Sequence, residues 1–392
     1  MSDMKHLRVD QIGALVSPLP LREAAEKVTH GQISEAEFKA IQAEAVLAAI
    51  KHQEAIGLPV VTDGEFRRRQ FQENFGAAVS GFDVSGSQAV DYQHHTLDNT
   101  PNKRSEQNFQ MAGPAIYTRR PVVERLKLTN NVPLKEYEQA AAVASHPVKM
   151  TVLSPDRIFQ RFAWEDSKKV YADQDAFLAD VVAINRQMIQ SLVDAGCRYI
   201  QIDAPGYTAY VDKVSLERMT SRGEDPHANM MRLIEADNAM IEGFPGITFG
   251  IHVCKGNART KDPVTGKTVR QWHREGHYDD IAEPLFGNLK HDRFLLEYDD
   301  ERSGDFAPLR YIRKDAVVVL GLVSTKSDDV EPLDSLRARI DEAAKVVPLE
   351  RLALSPQCGF GGMLSRMAIP EDVQWKKFER IMETAQKVWG NA

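Results

Sequence analysis

Eight short apolar runs alternate along this chain with longer amphipathic stretches, and this alternation sets the narrowest limit on its fold. A strand buried on both faces appears as a continuous apolar run, whereas a helix repeats its apolar residues every 3.6 positions. Strands that alternate with helices form parallel sheets, because each helix returns the chain to the same end of the sheet. The strands are predicted at residues 8–17, 58–65, 147–154, 198–203, 248–254, 293–298, 316–323 and 352–355.

Eight strand–helix units predict a (β/α)8 TIM barrel, and 392 residues suffice for one barrel with insertions. We therefore predict a single catalytic domain over residues 1–392. The alternation is interrupted at residues 76–145, where Gly, Ser, Thr and Asn separate short β-like runs. This region follows the second strand and is predicted to be a β-rich insertion with a short helix near Leu134 to Ala144. Its modest apolar content argues against a second domain with its own core.

The composition is typical of a soluble globular protein, with 43% hydrophobic and 27% charged residues. A net charge of −7 provides no basic surface for nucleic acid, and no apolar run is long enough to cross a membrane. The first residues lack the apolar core of a signal peptide, and three cysteines are too few for a disulfide framework. These features predict a cytoplasmic protein and leave open whether it is a monomer or a homo-oligomer.

The strand at residues 248–254 ends in His252-Val-Cys254. Side chains two residues apart point to the same side of a strand, so the imidazole and the thiol project together. Such a pair supplies half of a zinc site. Two other predicted strands lead to further ligands, Glu297 on the sixth and Cys358 after the eighth. A barrel brings strand ends onto one face, and we therefore predict a zinc site formed by these four residues.

Simpler interpretations exist for each of these residues taken singly. An isolated buried histidine is more often a hydrogen-bonded core residue, and the acidic residues 299–301 offer carboxylates in place of Glu297. Cys197 begins a strand, which puts it at the opposite end of a barrel and favours a structural role. A non-catalytic barrel with a structural zinc ion is a further alternative. Structural zinc sites normally take ligands close in sequence, which these are not.

Two thiolates and an imidazole favour one kind of zinc chemistry. Their negative charge makes the metal a weak source of hydroxide, but zinc lowers the pKa of a bound thiol and leaves the thiolate nucleophilic. Alkylation of a substrate thiol is therefore the predicted reaction. Glu65 and Asp203, at two other strand ends, are suited to bind the ammonium group of an amino-acid thiol. Helix capping or loop hydrogen bonding explains either acid equally well when it is taken alone.

A polar segment from Lys255 to His277 follows the His252-Val-Cys254 strand. Connections of this length in compact domains are usually lids or binding loops. We predict that this segment covers the site when substrate is bound.

These motifs together resemble the C-terminal catalytic barrel of cobalamin-independent methionine synthase, in its short single-barrel form. The resemblance runs through nearly the whole chain apart from the 76–145 insertion and the loop after Cys254. The matching segments are Gln11-Ile-Gly13, Thr62-Asp-Gly-Glu65, Ile200-Gln-Ile-Asp203, His252-Val-Cys254, Glu297 and Ser355-Pro-Gln-Cys-Gly359.

The resemblance implies a zinc-dependent S-methyltransferase that converts homocysteine to methionine with a methyl donor. The implied zinc ligands are His252, Cys254, Glu297 and Cys358. Glu65 and Asp203 are implied to be catalytic residues that hold the amino group of homocysteine. The implied substrate-binding residues also include Gly13 and Lys326.

Three motifs depart from the family pattern. Ala14 stands where the family has a serine that helps to bind homocysteine, and Asp203-Ala-Pro205 replaces Asp-Glu-Pro. Ser324-Thr-Lys326 replaces Asp-Ile-His, whose histidine is linked to proton delivery to the departing folate. The metal-ligating residues of the family are retained, whereas the motif linked to the methyl donor is altered. The methyl donor therefore stays open among methyl-folate, methylcobalamin and others.

Single-barrel relatives also include epoxyalkane:coenzyme M transferases, which alkylate a zinc-bound thiol with an epoxide. On this alternative the distal anion of the thiol needs basic partners, and Arg67, Arg68 and Arg69 are candidates. A solvated turn explains these arginines equally well. A metal-free decarboxylase of the uroporphyrinogen type shares the barrel but has no use for His252-Val-Cys254.

Overall fold

The computed structural model describes residues 4–68, 73–83, 88–91, 116–257, 259–262, 264–270, 274–361 and 369–391. The strands in these ranges are β1 Val79–Phe82, β2 Gln88–Asp91, β3 Ile116–Arg119, β4 Val122–Leu128, β5 Lys149–Leu153, β6 Tyr199–Asp203, β7 Thr248–Val253, β8 Arg259–Lys261, β9 Thr268–Arg270, β10 Arg293–Glu297, β11 Val317–Val323 and β12 Leu352–Pro356. The α-helices are α1 Leu19–Thr29, α2 Glu35–Ile56, α3 Glu73–Gly76, α4 Val132–Ala141, α5 Pro155–Gln160, α6 Trp164–Ser167, α7 Gln174–Asp194, α8 Lys213–Ser221, α9 Pro226–Ile241, α10 Ala282–Phe286, α11 Leu333–Ala343 and α12 Glu371–Trp389.

A parallel sheet of six strands forms the centre of the described fold, in the order β5-β6-β7-β10-β11-β12. These are the third to eighth strands predicted from the sequence. Every residue of the six strands is buried, which explains their continuous Val, Ile and Leu runs. The chain is therefore an α/β fold with a parallel sheet. Among the helices in the described ranges, none is long and apolar enough to cross a membrane.

The predicted first and second strands, residues 8–17 and 58–65, are each reduced to a single parallel bridge at the edges of the sheet. The bridges are Val9 with Leu354 and Val61 with Val148. The prediction of eight full strands is therefore wrong for these two segments. The backbone ladder of the described residues does not close into a barrel.

Side chains take the place of a backbone ladder between these two edge segments. Gln11 Nε2 donates to Val60 O at 2.9 Å, and Thr62 Oγ1 donates to Gly13 O at 2.8 Å. Gln53 of α2 reaches the same place and accepts Thr62 N–H at 2.9 Å. Because amides and hydroxyls satisfy the backbone here, the segments need not adopt the regular spacing of paired strands.

The predicted insertion, residues 76–145, contains two antiparallel pairs among its described residues, β1 with β4 and β2 with β3. Its predicted helix is α4. Residues 84–87 and 92–115 lie outside the described ranges. A hydrogen bond from Leu126 N–H to the Tyr171 hydroxyl, 3.0 Å, joins β4 to the chain just before α7.

Two local signals set the bounds of the long helix α2. Ser34 and Glu37 form a capping box, in which the Ser34 hydroxyl accepts Glu37 N–H and the Glu37 carboxylate accepts Ser34 N–H. The helix ends at Gly57, whose φ of 87° is a left-handed conformation that favours glycine.

A buried charged network joins the strands at the N-terminal end of the sheet. Asp10 accepts Lys149 Nζ at 2.7 Å, Arg293 Nε at 2.9 Å and the Tyr199 hydroxyl at 2.5 Å. All four side chains are buried. Loss of one partner from such a pair leaves an uncompensated buried charge, at a cost of about 3–5 kcal/mol. This end of the sheet is therefore built for stability.

Candidate metal centre

The C-terminal ends of the parallel strands bring the predicted polar residues to one edge of the sheet. Asp203 ends β6 and lies in register with His252 of β7. Glu297 ends β10, and Cys358 follows β12 by two residues. Parallel pairing places these ends side by side although they are far apart in sequence.

His252, Cys254 and Cys358 form a compact group of metal-ligating side chains. One ligand atom from each lies within 4.8 Å of the others, and the two sulfur atoms are 3.8 Å apart. His252 Nδ1 lies 3.3 Å from Leu295 O, which orients the ring. Its Nε2 is buried without a hydrogen-bond partner among the described residues. One imidazole and two thiols fit zinc, which accepts nitrogen and sulfur donors in tetrahedral geometry.

The three side chains shift one another's pKa values, but only the shift of Cys254 has the direction that metal binding requires, since bound cysteines are thiolates and bound histidines are neutral. A hydrogen bond from Cys358 and the nearby His252 hold the pKa of the Cys254 thiol well below its ordinary value. Burial lowers the pKa of His252, but Cys254, Asp203 and Glu297 together outweigh it, so the net pKa is raised. The same thiolate raises the pKa of Cys358. Cys254 is therefore the more acidic of the two thiols, and a bound cation would offset the repulsion that a second thiolate meets.

Glu297, the predicted fourth ligand, lies outside this three-residue group. Its Oε2 accepts Lys255 N–H at 2.7 Å. Its Oε1 accepts Arg302 Nη2 at 2.5 Å and Lys326 Nζ at 2.9 Å. The carboxylate belongs instead to an acidic group with Asp299 and Asp300, whose ligand atoms lie within 4.8 Å of one another.

Lys326, predicted to bind substrate, points into that acidic group. Its Nζ lies 2.9 Å from Glu297 Oε1, 3.0 Å from Asp299 Oδ1 and 3.3 Å from Asp300 Oδ2. Burial lowers the pKa of Lys326, but the attraction of Asp299 and Glu297 is greater and the net pKa is raised. Lys326 is therefore a buried cationic partner of three carboxylates.

Glu65 is held in a strained and tightly bonded position. Its φ of 59° is left-handed, which is rare for a residue other than glycine. Its Oε1 accepts Arg68 Nη1 at 3.0 Å and the Thr151 hydroxyl at 2.7 Å. Its Oε2 is buried and has no hydrogen-bond partner in the described part of the chain. Strain of this kind persists where the surroundings enforce it, and it is concentrated at functional sites.

Gly13, the other predicted substrate residue, packs directly against Glu65. A Cβ atom here would lie 2.9 Å from Thr151 Cγ2 and 3.1 Å from Glu65 Oε1. The φ of Gly13 is 129°, so a larger residue would be strained as well as crowded. Glycine at this position therefore serves the placement of the Glu65 carboxylate.

Asp203 is the second acid near the metal group. Its Oδ1 accepts Gln201 Nε2 at 2.6 Å. Burial and the charge of Glu65 raise the pKa of Asp203 to about 7, against the opposing effect of His252. Burial and the charge of Glu136 likewise raise the pKa of Asp63 to about 7. Acidic side chains thus gather beside the metal group, and their carboxylates repel one another.

Comparison with known proteins places the chain in a family. Residues 11–239 and 277–371 match the catalytic domain of cobalamin-independent synthase. The chain belongs to this family. It is a methyltransferase. The matched stretches include Glu65, Asp203, Glu297 and Cys358, whereas His252 and Cys254 lie between them, so the sequence motif and the geometry support that pair independently of the match.

Several relatives of this methyltransferase are similar over almost their whole length. The uncharacterised protein YxjH of Bacillus subtilis is 31% identical over 385 residues, which cover 97% of this chain and 94% of YxjH. The methionine synthase of Pyrococcus abyssi is 23% identical over 363 residues, which cover 92% of this chain and 88% of that protein. The solved structure of a putative vitamin-B12 independent methionine synthase from Listeria monocytogenes is 26% identical, with a TM-score of 0.72 and 98% of each chain covered.

Cys197, predicted to be structural, lies two residues before β6. It is fully buried, and burial raises its pKa to about 12. The sequence did not indicate that Arg68 and Thr151 bond to Glu65, or that Glu136 bonds to Arg68. Arg68 lies one helical turn after Glu65, which was an available signal, but Glu136 comes from the predicted insertion, and nothing in the sequence pairs it with Arg68.

The segment from Lys255 to His277 of this methyltransferase contains the β8–β9 hairpin and is anchored at its base. Lys255 Nζ donates to the carbonyl oxygens of Gly276 and Arg302, and burial lowers its pKa to about 8. The hairpin turn is exposed, with Val264 91% accessible. Residues 258, 263 and 271–273 are outside the described ranges.

We expect the exposed hairpin to be less accessible to protease when a substrate thiol is bound, because a lid moves onto the occupied site. Trypsin cleavage after the exposed Lys267 should slow, whereas cleavage after Lys345, in a turn after α11, should keep its rate. Mass spectrometry of timed digests measures both sites in one sample. Equal slowing at both sites, or at neither, would contradict a lid.

Proposed function

We propose that this methyltransferase binds zinc through His252, Cys254 and Cys358 and methylates the thiol of homocysteine to give methionine. Glu297, predicted from the sequence as the fourth ligand, borders this group and is bonded to Arg302 and Lys326. The observation that carries this proposal is that a soft-donor group and a cluster of acidic side chains lie at the same sheet edge. The first suits a thiol, and the second suits an ammonium group.

When bound in this group, zinc lowers the pKa of the substrate thiol and keeps the thiolate nucleophilic. The protein residues orient the reactants. The carbonyl oxygen of Leu295 fixes the His252 ring through Nδ1, which leaves Nε2 available as a metal ligand. Burial of His252 and Cys254 keeps water from the reacting sulfur and strengthens electrostatic effects at the site.

Glu65 and Asp203 are proposed to bind the amino group of homocysteine. Glu65 offers a buried Oε2 that has no hydrogen-bond partner in the described ranges. Asp203 lies in register with His252, so an ammonium group bound there is close to the metal group. An ammonium ion between the two acids relieves the repulsion that raises the pKa of Asp203.

The rival substrate class is a thiol with a distal anion, such as coenzyme M. Arg68, the best placed of the candidate arginines, is turned inward and donates to Glu136 and Glu65. These carboxylates neutralise the charge of Arg68, and Arg69 lies outside the described ranges. An anionic thiol would therefore face Glu65 and Asp203, where Arg68 is already paired with carboxylates, and this disfavours it.

The replacement of the family's Asp-Ile-His by Ser324-Thr-Lys326 favours a methyl donor whose leaving group needs no proton from Lys326. The family histidine at this position is linked to proton delivery. The raised pKa of Lys326, caused by Asp299 and Glu297, keeps its proton in place at neutral pH. We infer that the donor differs from methyl-folate in this respect.

We further infer that the sheet belongs to a (β/α)8 barrel in a cytoplasmic enzyme. The two sheet edges approach each other, as the hydrogen bonds from Gln11 to Val60 and from Thr62 to Gly13 indicate. Side-chain hydrogen bonds would then close the barrel at the place where the backbone strands do not pair.

Calorimetric binding of matched thiols to the zinc-loaded protein tests the proposed function. Homocysteine should bind at least about tenfold more tightly than 4-mercaptobutanoate, which lacks only the amino group, because the lost charge-assisted hydrogen bond contributes about 1.5–3 kcal/mol. Coenzyme M should bind more weakly still. Tighter binding of coenzyme M than of homocysteine would favour the rival class and contradict our proposal.

A further inference from the structure

Lys326 occupies an unusual place for a lysine, because it is 99% buried and directed at three carboxylates. A buried ammonium group is costly unless its charge is compensated. Glu297, Asp299 and Asp300 provide that compensation from the end of β10 and the turn after it. Lys326 itself follows β11, the neighbouring strand, so the parallel pairing of β10 and β11 brings the groups together.

Glu297 is the member of this cluster that borders the metal group. Its Oε2 accepts the backbone N–H of Lys255, the residue directly after Cys254, at 2.7 Å. Its Oε1 is shared by Lys326 and Arg302. Both oxygens of the predicted fourth ligand are therefore engaged by donors of the protein.

The two cations around Glu297 differ in how they are held. Arg302 also makes a two-nitrogen contact with Asp300, with Nε 3.0 Å from Oδ1 and Nη2 3.0 Å from Oδ2. Planar contacts of this kind fix the arginine in place. The lysine is a point charge on a flexible chain and lacks such a fixed geometry. Loss of the Lys326 contact can therefore release the Glu297 carboxylate while the contact between Arg302 and Asp300 stays intact.

We propose that Lys326 is a positioning residue that holds the Glu297 carboxylate away from the metal group, so that His252, Cys254 and Cys358 bind the metal and one position stays open for the substrate thiol. The inference rests on the proposed function for the presence of the metal. Metal and Lys326 are two cations that compete for one carboxylate. Three protein ligands with an open position are the arrangement of catalytic rather than structural zinc sites.

The inference has a directional consequence. Removing the Lys326 charge should release Glu297 to the metal, and zinc should then bind more tightly while the thiol binds more weakly. General damage to the site would lower both affinities. A gain in zinc affinity therefore separates positioning from a structural role.

The experiment is a double-mutant cycle with Lys326→Gln, Glu297→Gln and the double variant, with zinc affinity measured by competition with a chromophoric chelator. In the parent, Glu297→Gln should change zinc affinity by less than about threefold, and Lys326→Gln should raise it by roughly tenfold. In the double variant the gain should vanish. The ligand-field spectrum of the cobalt-loaded protein should change in Lys326→Gln and return in the double variant.

Three further variants make the result decisive. Lys326→Arg keeps the charge and should retain the parent zinc affinity. Lys377→Gln removes another buried lysine, which pairs with Glu331 at 3.0 Å, and should have no effect on zinc. If Lys326→Gln fails to fold, Lys326→Gln combined with Asp299→Asn removes one charge of each sign and should show the same gain.

The outcomes separate this inference from the proposed function. An unchanged or lower zinc affinity in a folded Lys326→Gln variant, or an equal cost of Glu297→Gln with and without Lys326, would overturn the positioning role alone. A parent protein that binds no zinc would overturn the proposed function and this inference together.

Discussion

Replacing Cys358 with serine is expected to abolish stoichiometric zinc binding. A hydroxyl at this position is neutral at pH 7 and cannot replace a thiolate as a ligand. Loss of an outer-shell partner alone lowers metal affinity by about 10–100-fold, so loss of a direct ligand should cost more. The measurement is metal content by mass spectrometry after dialysis against a weak chelator, together with the zinc dissociation constant.

Cys197→Ser is the matched control, because Cys197 is also a buried cysteine but lies at the opposite end of the sheet. It should keep about one zinc ion per chain, even if the protein is less stable. Full zinc retention in Cys358→Ser, or equal loss in both variants, would remove Cys358 from the ligand set.

Asp203→Asn is expected to weaken homocysteine binding by about ten- to a hundredfold while zinc content stays intact. The physical reason is the loss of a charge-assisted hydrogen bond to the ammonium group, which contributes about 1.5–3 kcal/mol. Binding of 4-mercaptobutanoate, which carries no amino group, should change little. Calorimetry with both thiols on parent and variant measures the difference directly.

Asp237→Asn is a suitable control for burial of an aspartate. Asp237 is fully buried and accepts hydrogen bonds from Ser154 at 2.8 Å and Tyr207 at 2.6 Å, and burial raises its pKa to about 7. Its substitution should leave the ratio of the two thiol affinities unchanged. If Asp203→Asn weakened both thiols equally, Asp203 would not be a partner of the amino group.

Local patterns in the sequence were sufficient to predict the six central strands and the three-residue metal group. Unbroken apolar runs can only be buried strands when helices separate them, and the spacing of His252 and Cys254 fixes their common direction. The capping box of α2 follows from four residues. In each case the deciding interaction lies within a few positions, or within a parallel sheet that the alternation of elements already implies.

Interactions between distant side chains could not be predicted in the same way. Glu297 was correctly predicted at the strand edge, but its capture by Lys326 depends on which rotamers the packed turns allow. Arg68 was considered as an anion partner, whereas it is bonded to Glu136 from the insertion. The two edge segments were predicted as full strands because their apolar patterns give no sign that Gln11 and Thr62 would satisfy the backbone instead.

The pairing of the first sheet segment with the last has a consequence for how the protein is made. Asp10 N–H donates to Leu354 O, and Leu354 N–H donates to Arg8 O. While the ribosome is still producing the chain, one edge of the sheet has no partner, and exposed edges attract chaperones or aggregate. Cys358 also leaves the exit tunnel after the other ligands. The proposed zinc site, which needs Cys358, can therefore assemble only once this residue has left the ribosome.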